Sequence, residues 1–228
     1  MFSQDGSAMQ RAERRQSAAT KTGILNAAEA LFAERGYSAT SMAEIAAAAS
    51  VSVATPSYFF GSKAGLYRAV LQRAFEDARD ALATGLADVL AREGASLEEK
   101  VSAGVKAYMD FLLERPNFVR LIEWENVEGG RFTEADVGHN VALSSALEHI
   151  AAILPDIPGV DARHLLLSVI ALCFFPLAHA ATLLRPLGFD PEDPAFVEER
   201  QQHVVALLLG GIERGAKTQP SHTPRAGP

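Results

Sequence analysis

Apolar residues recur along this chain at three- and four-residue spacing, and no stretch sustains a period of two. That pattern predicts helices and no sheet. The first helix is expected from about Ser17 to Arg35, closed by Gly36 as its left-handed cap. Ser41 followed by Glu44 forms an S-x-x-E capping box, in which each side chain satisfies one orphan N–H of the first turn. Ile45, Ala48 and Ala49 then keep helical spacing as far as Ser50. Ser52 can cap a short helix from about Val53 to Phe60, and Ser62 a long one from Lys63 towards Ala91. That long helix carries Leu66, Val70, Ala74, Phe75, Ala78, Leu82, Leu86 and Val89 on one stripe.

A second capping box, Ser96 with Glu99, opens a helix bearing Val101, Val105, Tyr108, Met109, Leu112 and Leu113 that stops near Pro116. A short helix through Phe118, Leu121, Ile122 and Trp124 ends at Gly129 and Gly130, and the helical pattern resumes from His139 to Ile153. Pro155 to Gly159 breaks the chain before a strongly apolar helix expected from Ala162 to Leu187, kinked where Pro176 removes the N–H for the Leu172 carbonyl. Gly188 to Pro194 separates this from a last helix near Ala195 to Arg214. There is no internal repeat.

Two short helices joined by a tight turn across Ser41 to Phe60 have the layout of a helix-turn-helix. Val51 to Tyr67 reads V-S-x-A-T-x-S-Y-x-F-G-S-K-x-G-L-Y. Upstream, Ile24, Leu25, Ala27, Ala28, Leu31 and Phe32 precede Gly36, Tyr37, Thr40, Ser41, Met42 and Ile45 in matching order. Over roughly the first 70 residues the chain resembles TetR-family transcription regulators. The resemblance implies an all-α fold: a three-helix DNA-binding head followed by a helical-bundle body that binds an effector and dimerises. It divides the chain into an arm over 1–16 expected to be disordered, a head over 17–63, a body over 64–216 and a disordered tail over 217–228. Two positions depart from the family pattern. Ser50 stands where glycine is usual, and a left-handed backbone there costs a non-glycine residue about 1–2 kcal/mol. Pro56 replaces an aliphatic residue early in the second helix, where only one intrahelical hydrogen bond is lost.

In a helix-turn-helix the second helix enters the major groove with its N-terminal residues against the base edges. Val53, Ala54, Thr55, Ser57 and Tyr58 are then the candidate readers, with Ser52 at the cap. Val53 and Ala54 suit thymine methyls and the hydroxyls suit polar edges, but no Arg, Asn or Gln is present for bidentate readout. The resemblance assigns phosphate contacts to Ser41, Thr55, Tyr58, the neighbourhood of Phe59 and Lys63, of which Ser41 and Lys63 lie at helix N-termini. Phe59 and Phe60 are expected in the core of the head. The arginines Arg11, Arg14 and Arg15 fit a solvated tail or an arm that touches DNA, and the sequence leaves both open.

The formal charge of −7 changes this picture only in detail. Residues 1–63 hold six of the 21 basic and five of the 28 acidic residues, a balance of +1, so the remainder carries −8. The acidity belongs to the body, and a head so weakly basic has little sequence-independent affinity for DNA. Specific binding then leans on geometry and on two-fold avidity at a double-stranded, near-palindromic operator.

For the small-molecule effector, the body offers Tyr108, Phe111, Arg120, Trp124, Phe174, Phe175 and His179 as pocket candidates, each equally readable as a core residue. An imidazole in an apolar helix needs a hydrogen-bond partner, which singles out His179. The apolar surface of Leu165 to Leu184, with Val204, Val205, Leu208 and Ile212, predicts a homodimer through the last two helices. The same run is long enough to be weighed as a membrane span, but the reading taken is a buried or interface helix, with no membrane partner. Met1 to Arg15 has no apolar core of a signal peptide, and the lone Cys173 suits a reducing compartment, so a cytoplasmic location is expected. No G-x-S-x-G, P-loop, C-x-x-C or H-E-x-x-H motif occurs, and the expectation is a non-enzyme without metal or cofactor. Two other readings stay open: a helical enzyme on the same fold, and a helix-turn-helix protein that docks other proteins.

Overall fold

The computed structural model describes residues 5–130, 132, 137–153 and 160–218, and all regular structure among them is helical. In chain order the helices are α1 (Asp5–Arg35), α2 (Met42–Ala48), α3 (Ala54–Phe60), α4 (Lys63–Ala91), α5 (Leu97–Glu114), α6 (Pro116–Val127), α7 (Val137–Ile153), α8 (Ala162–Ala178) and α9 (Pro194–Thr218). Both capping boxes form: Ser41 and Ser96 accept the amides of Glu44 and Glu99, whose carboxylates bond back to the serine amides.

The described residues fall into two compact units. One lies within Met1–Ala74 and Arg120–His139, the other within Phe75–Val119 and Asn140–Pro228. The compact first unit thus extends beyond the expected head limit at Lys63, because it takes α4 as far as Ala74 and adds most of α6.

The first unit packs α1, α2 and α3 around Ile24, Ala28, Phe32 and Ile45, all fully buried. Leu66, Val70 and Leu71 of α4 and Leu121 of α6 complete this core. Each of these Ile, Leu, Val and Phe side chains withdrawn from water contributes about 1.5–3 kcal/mol. Tyr67 meets Phe32 edge-on at 4.8 Å and Phe132 at 4.9 Å, and Tyr37 lies 4.7 Å from Phe132. The buried Thr40 hydroxyl donates to the Gly36 carbonyl at 2.9 Å, which fixes the turn after α1.

In the second unit α5 packs against α8 and α9. Val105, Met109 and Leu112 of α5 and Val204 and Leu208 of α9 are buried there, as is Cys173 of α8. Phe111 and Phe75 each meet Phe118 edge-on, at 5.0 and 5.7 Å. Burial pushes the Cys173 thiol up to about 12.

Four expectations need correction. The chain is already helical at Asp5, so the arm expected to be disordered over 1–16 is helix from there onward; Ala and Arg favour a helix even without an apolar stripe. The second helix of the helix-turn-helix starts at Ala54, one residue late, and the Ser52 hydroxyl engages the Thr55 hydroxyl at 2.7 Å instead of capping. The apolar helix does not run unbroken to Leu187: α8 ends at Ala178, a five-residue π turn (Ala180–Leu184) and a 3-10 turn (Arg185–Leu187) follow, and the chain bends by 76°. The break sits at His179, beyond Pro176, because the Leu172 carbonyl that the proline leaves without a helical donor is taken by Arg200 Nη2 at 2.8 Å. Finally, α9 continues to Thr218, so the expected tail is helical over its first two residues, and residues 219–228 lie outside the described residues with 1–4 and 154–159.

Candidate nucleic-acid interface

Ser50 carries the backbone between α2 and α3 at φ 55, the left-handed conformation expected where glycine is usual. The turn closes through Ser50 N–H to the Ala47 carbonyl at 3.1 Å and Val51 N–H to the Ala46 carbonyl at 3.0 Å. These bonds hold the strained residue and set the angle at which α3 leaves.

Within α3 the faces divide cleanly. Pro56 is buried against the head, while Ser52, Val53, Ala54, Ser57 and Tyr58 are exposed. Val53 keeps 63% of its surface in water and Tyr58 83%, which leaves both free to meet another molecule. Thr55 is half-buried, with its hydroxyl on Ser52. The helix ends at Gly61, whose amide caps the Ser57 carbonyl at 2.9 Å. Four residues later Gly65 brings α4 against this end: a Cβ on Gly65 would stand 2.2 Å from the Phe60 carbonyl oxygen. Only a glycine admits that approach, and the Ser62 hydroxyl accepts the Gly65 amide at 3.1 Å. Phe59 and Phe60 are half-buried, with the Lys21 ammonium 5.7 Å from the Phe60 ring centre.

The two phosphate candidates at helix starts are less free than their positions imply. The Ser41 hydroxyl donates to the Glu44 carboxylate at 2.7 Å, and that bond holds the carboxyl below its usual range, with Arg35 assisting. Lys63 folds back onto the head, with Nζ 3.4 Å from the Ser38 carbonyl and 4.4 Å from the centre of the Tyr37 ring. Two of its three N–H groups remain available.

The effector candidates are not gathered into one site. Arg120 and Trp124 belong to the first unit. Trp124 lays its indole on Gly36, where a Cβ would come within 2.9 Å of the ring, and donates Nε1–H to the Ala33 carbonyl at 3.3 Å. No local pattern signals this packing, because the partners are 91 residues apart. Tyr108 and Phe111 pack in the second unit, where burial raises the Tyr108 hydroxyl above its ordinary range. His179 bonds the Phe175 carbonyl through Nδ1 at 3.0 Å and stacks on the Phe175 ring at 4.2 Å, closing the end of α8. Phe174 is half-buried in α8. Phe175 lines a groove of about 650 Å³ with Leu172, Leu187, Phe189, Phe196 and Arg200, residues the effector reading did not select apart from Phe175.

A buried-proline helix presenting Val53 and Tyr58 beside a capped helix and a left-handed turn defines a helix-turn-helix DNA-binding protein. Comparison with known proteins makes the class specific. Residues 24–70 match the model of bacterial regulatory proteins of the tetR family, and residues 98–208 that of a tetracyclin repressor-like C-terminal domain. The chain is 26% identical over 208 residues to the HTH-type transcriptional repressor NicS of Pseudomonas putida, covering 86% of this chain and 93% of that one. It is 34% identical over 122 residues to the HTH-type transcriptional activator FasR of Mycolicibacterium smegmatis, about half of each chain. The fold resembles that of a TetR-family regulator from Mesorhizobium loti, with a TM-score of 0.66 at 19% identity over 86% of this chain and 97% of the other. The chain belongs to the TetR family and is a DNA-binding transcriptional regulator.

Proposed function

We propose that the protein is a ligand-responsive repressor that binds a near-palindromic operator as a homodimer in the cytoplasm. The observation that carries the DNA-reading part is the exposure of Val53 and Tyr58 on α3, next to a face held down by Pro56. Val53, Ala54, Thr55, Ser57 and Tyr58 read base edges, and Ser52, Ser41 and Lys63 stand along the phosphates, Lys63 through the N–H groups it keeps free. Without Arg, Asn or Gln on α3, discrimination rests on methyl contacts, hydroxyls and DNA shape.

The stripe Val204, Val205, Leu208 and Ile212 expected at the interface is buried within the chain itself; the apolar side chains left exposed for a dimer are Leu167 on α8 and Leu207 on α9. A second copy related by two-fold symmetry would cover them. An effector site in the body is supported by the groove beside Phe175. Among the described residues no single helix is long and apolar enough to cross a membrane.

Selection of bound DNA from random duplexes, followed by footprinting, should return an inverted repeat, and sedimentation should give a dimer at micromolar concentration. A monomer that binds its site, or a site without two-fold symmetry, overturns the dimeric reading. Titration of metabolites against the protein–operator complex tests the effector. A ligand seated in the body that leaves operator affinity unchanged overturns ligand control.

A further inference from the structure

The described side chains of α1 from Arg11 to Ala19 contribute nothing to the core. From Arg11 to Ala19 every residue with a described side chain is exposed, and the first buried residue of the helix is Ile24. Yet this stretch holds most of the head's unpaired positive charge. Arg35 is held by Glu34 and Glu44, Arg73 by Glu29 and Asn26, and Lys63 by the Ser38 carbonyl. Arg11, Arg14 and Arg15 have neither ion pair nor hydrogen bond among the described residues.

Helical spacing gathers these cations on one side. At about 100° per residue, Arg14 and Lys21 are nearly in line, and Arg11 and Arg15 follow on the same side within an arc of roughly 120°. Glu13 falls about 100° away from Arg14 in the other direction. Lys21 ties the arc to the recognition helix, since its ammonium lies over the ring of Phe60, the last residue of α3. From Lys21 to Arg11 the arc runs for about 15 Å, the rise of some four base-pair steps at roughly 3.4 Å each.

We propose that the basic arc of Arg11, Arg14, Arg15 and Lys21 is a second DNA-contacting surface, which lies along phosphates flanking each half-site beyond the reach of α3. The inference rests on the operator-binding reading above and adds where the electrostatic share of affinity resides. With Arg35 and Arg73 ion-paired and Lys63 keeping only part of its donor capacity, the head needs further phosphate neutralisation from another element, and this arc supplies it by charge complementarity.

The test compares the full chain with an Arg11→Ala/Arg14→Ala/Arg15→Ala variant and with the corresponding triple Arg→Lys variant. Each is titrated on the selected operator, once trimmed to its two half-sites and once carrying ten further base pairs at either end. On the long duplex the alanine variant should lose about 0.9 from the slope of log affinity against log salt for every phosphate no longer neutralised, and at least tenfold in affinity at low salt. The lysine variant should keep the slope, because neutralising a phosphate needs only the charge, and the trimmed duplex should bind all three proteins alike. An unchanged slope on the long duplex overturns the proposal while leaving the operator reading intact, and an equal loss on the trimmed duplex overturns the flanking placement. Failure of the unmodified protein to bind any selected duplex overturns the operator reading and this inference together. Alanine favours the helix, and circular dichroism verifies that the fold is kept.

Discussion

Arg200 and Leu172 are joined by a hydrogen bond that Pro176 makes necessary: the proline has no N–H, and the guanidinium donates to the stranded carbonyl at 2.8 Å. The bond links α9 to the middle of α8, next to the buried Cys173. Arg200→Met keeps the stem but removes the donor, and should destabilise the protein by about 1.5–3 kcal/mol in urea unfolding. In a Pro176→Ala background the helix supplies its own amide, so the same change should cost much less. A double-mutant cycle with no coupling would contradict the account.

Ser50→Gly relieves a left-handed serine at φ 55. The strain released is about 1–2 kcal/mol, and the extra freedom of glycine in the unfolded chain offsets roughly half to one of these. A modest rise in thermal midpoint with unchanged operator affinity is expected.

Tyr58→Ala separates reading from folding. With 83% of its surface in water, the side chain contributes little to stability, and the unfolding free energy should move by no more than about 0.5 kcal/mol. Operator affinity should fall about tenfold or more, equivalent to roughly 1.4 kcal/mol. Lys63→Ala should weaken all duplexes similarly and reduce the salt slope by about one for each phosphate that the ammonium had neutralised.

Acid should undo the two capping boxes. The Ser41 hydroxyl and amide hold Glu44, and the Ser96 amide and hydroxyl hold Glu99, below the ordinary carboxylate value of 4.5. A carboxylate whose folded value is depressed adds stability above its unfolded value and loses it as pH falls through the folded one. Stability should therefore decline below about pH 4.5, and Glu44→Gln with Glu99→Gln should flatten that part of the pH profile.

The Cys173 thiol, raised to about 12 by burial, should react with iodoacetamide at neutral pH only when the protein unfolds. Native-state alkylation at the rate of a free thiol would place it at the surface.

The features readable from sequence were those set by neighbours along the chain. The Ser41–Glu44 and Ser96–Glu99 boxes, the Gly36 cap and the strained Ser50 each depend on residues within a few positions, and each stands where the pattern put it. Features set by distant partners were not readable. The seat of the Trp124 indole on Gly36 and its bond to the Ala33 carbonyl join residues about 90 positions apart, and no local pattern marks them. The break at His179 lies inside a run that stays apolar on both sides of it, so average hydropathy marks no helix end there. The start of α1 failed for the opposite reason, because a polar helix leaves no periodic trace.

Gly65 has a consequence for how such a regulator can change over generations. Its place beneath the Phe60 carbonyl already holds the smallest residue there is, so no replacement at that joint is mild. The exposed positions Val53, Ala54, Ser57 and Tyr58 carry no comparable steric burden. Exchanging the outward letters of this one seven-residue helix can therefore retune what it touches, while the joint that aims it tolerates no such exchange.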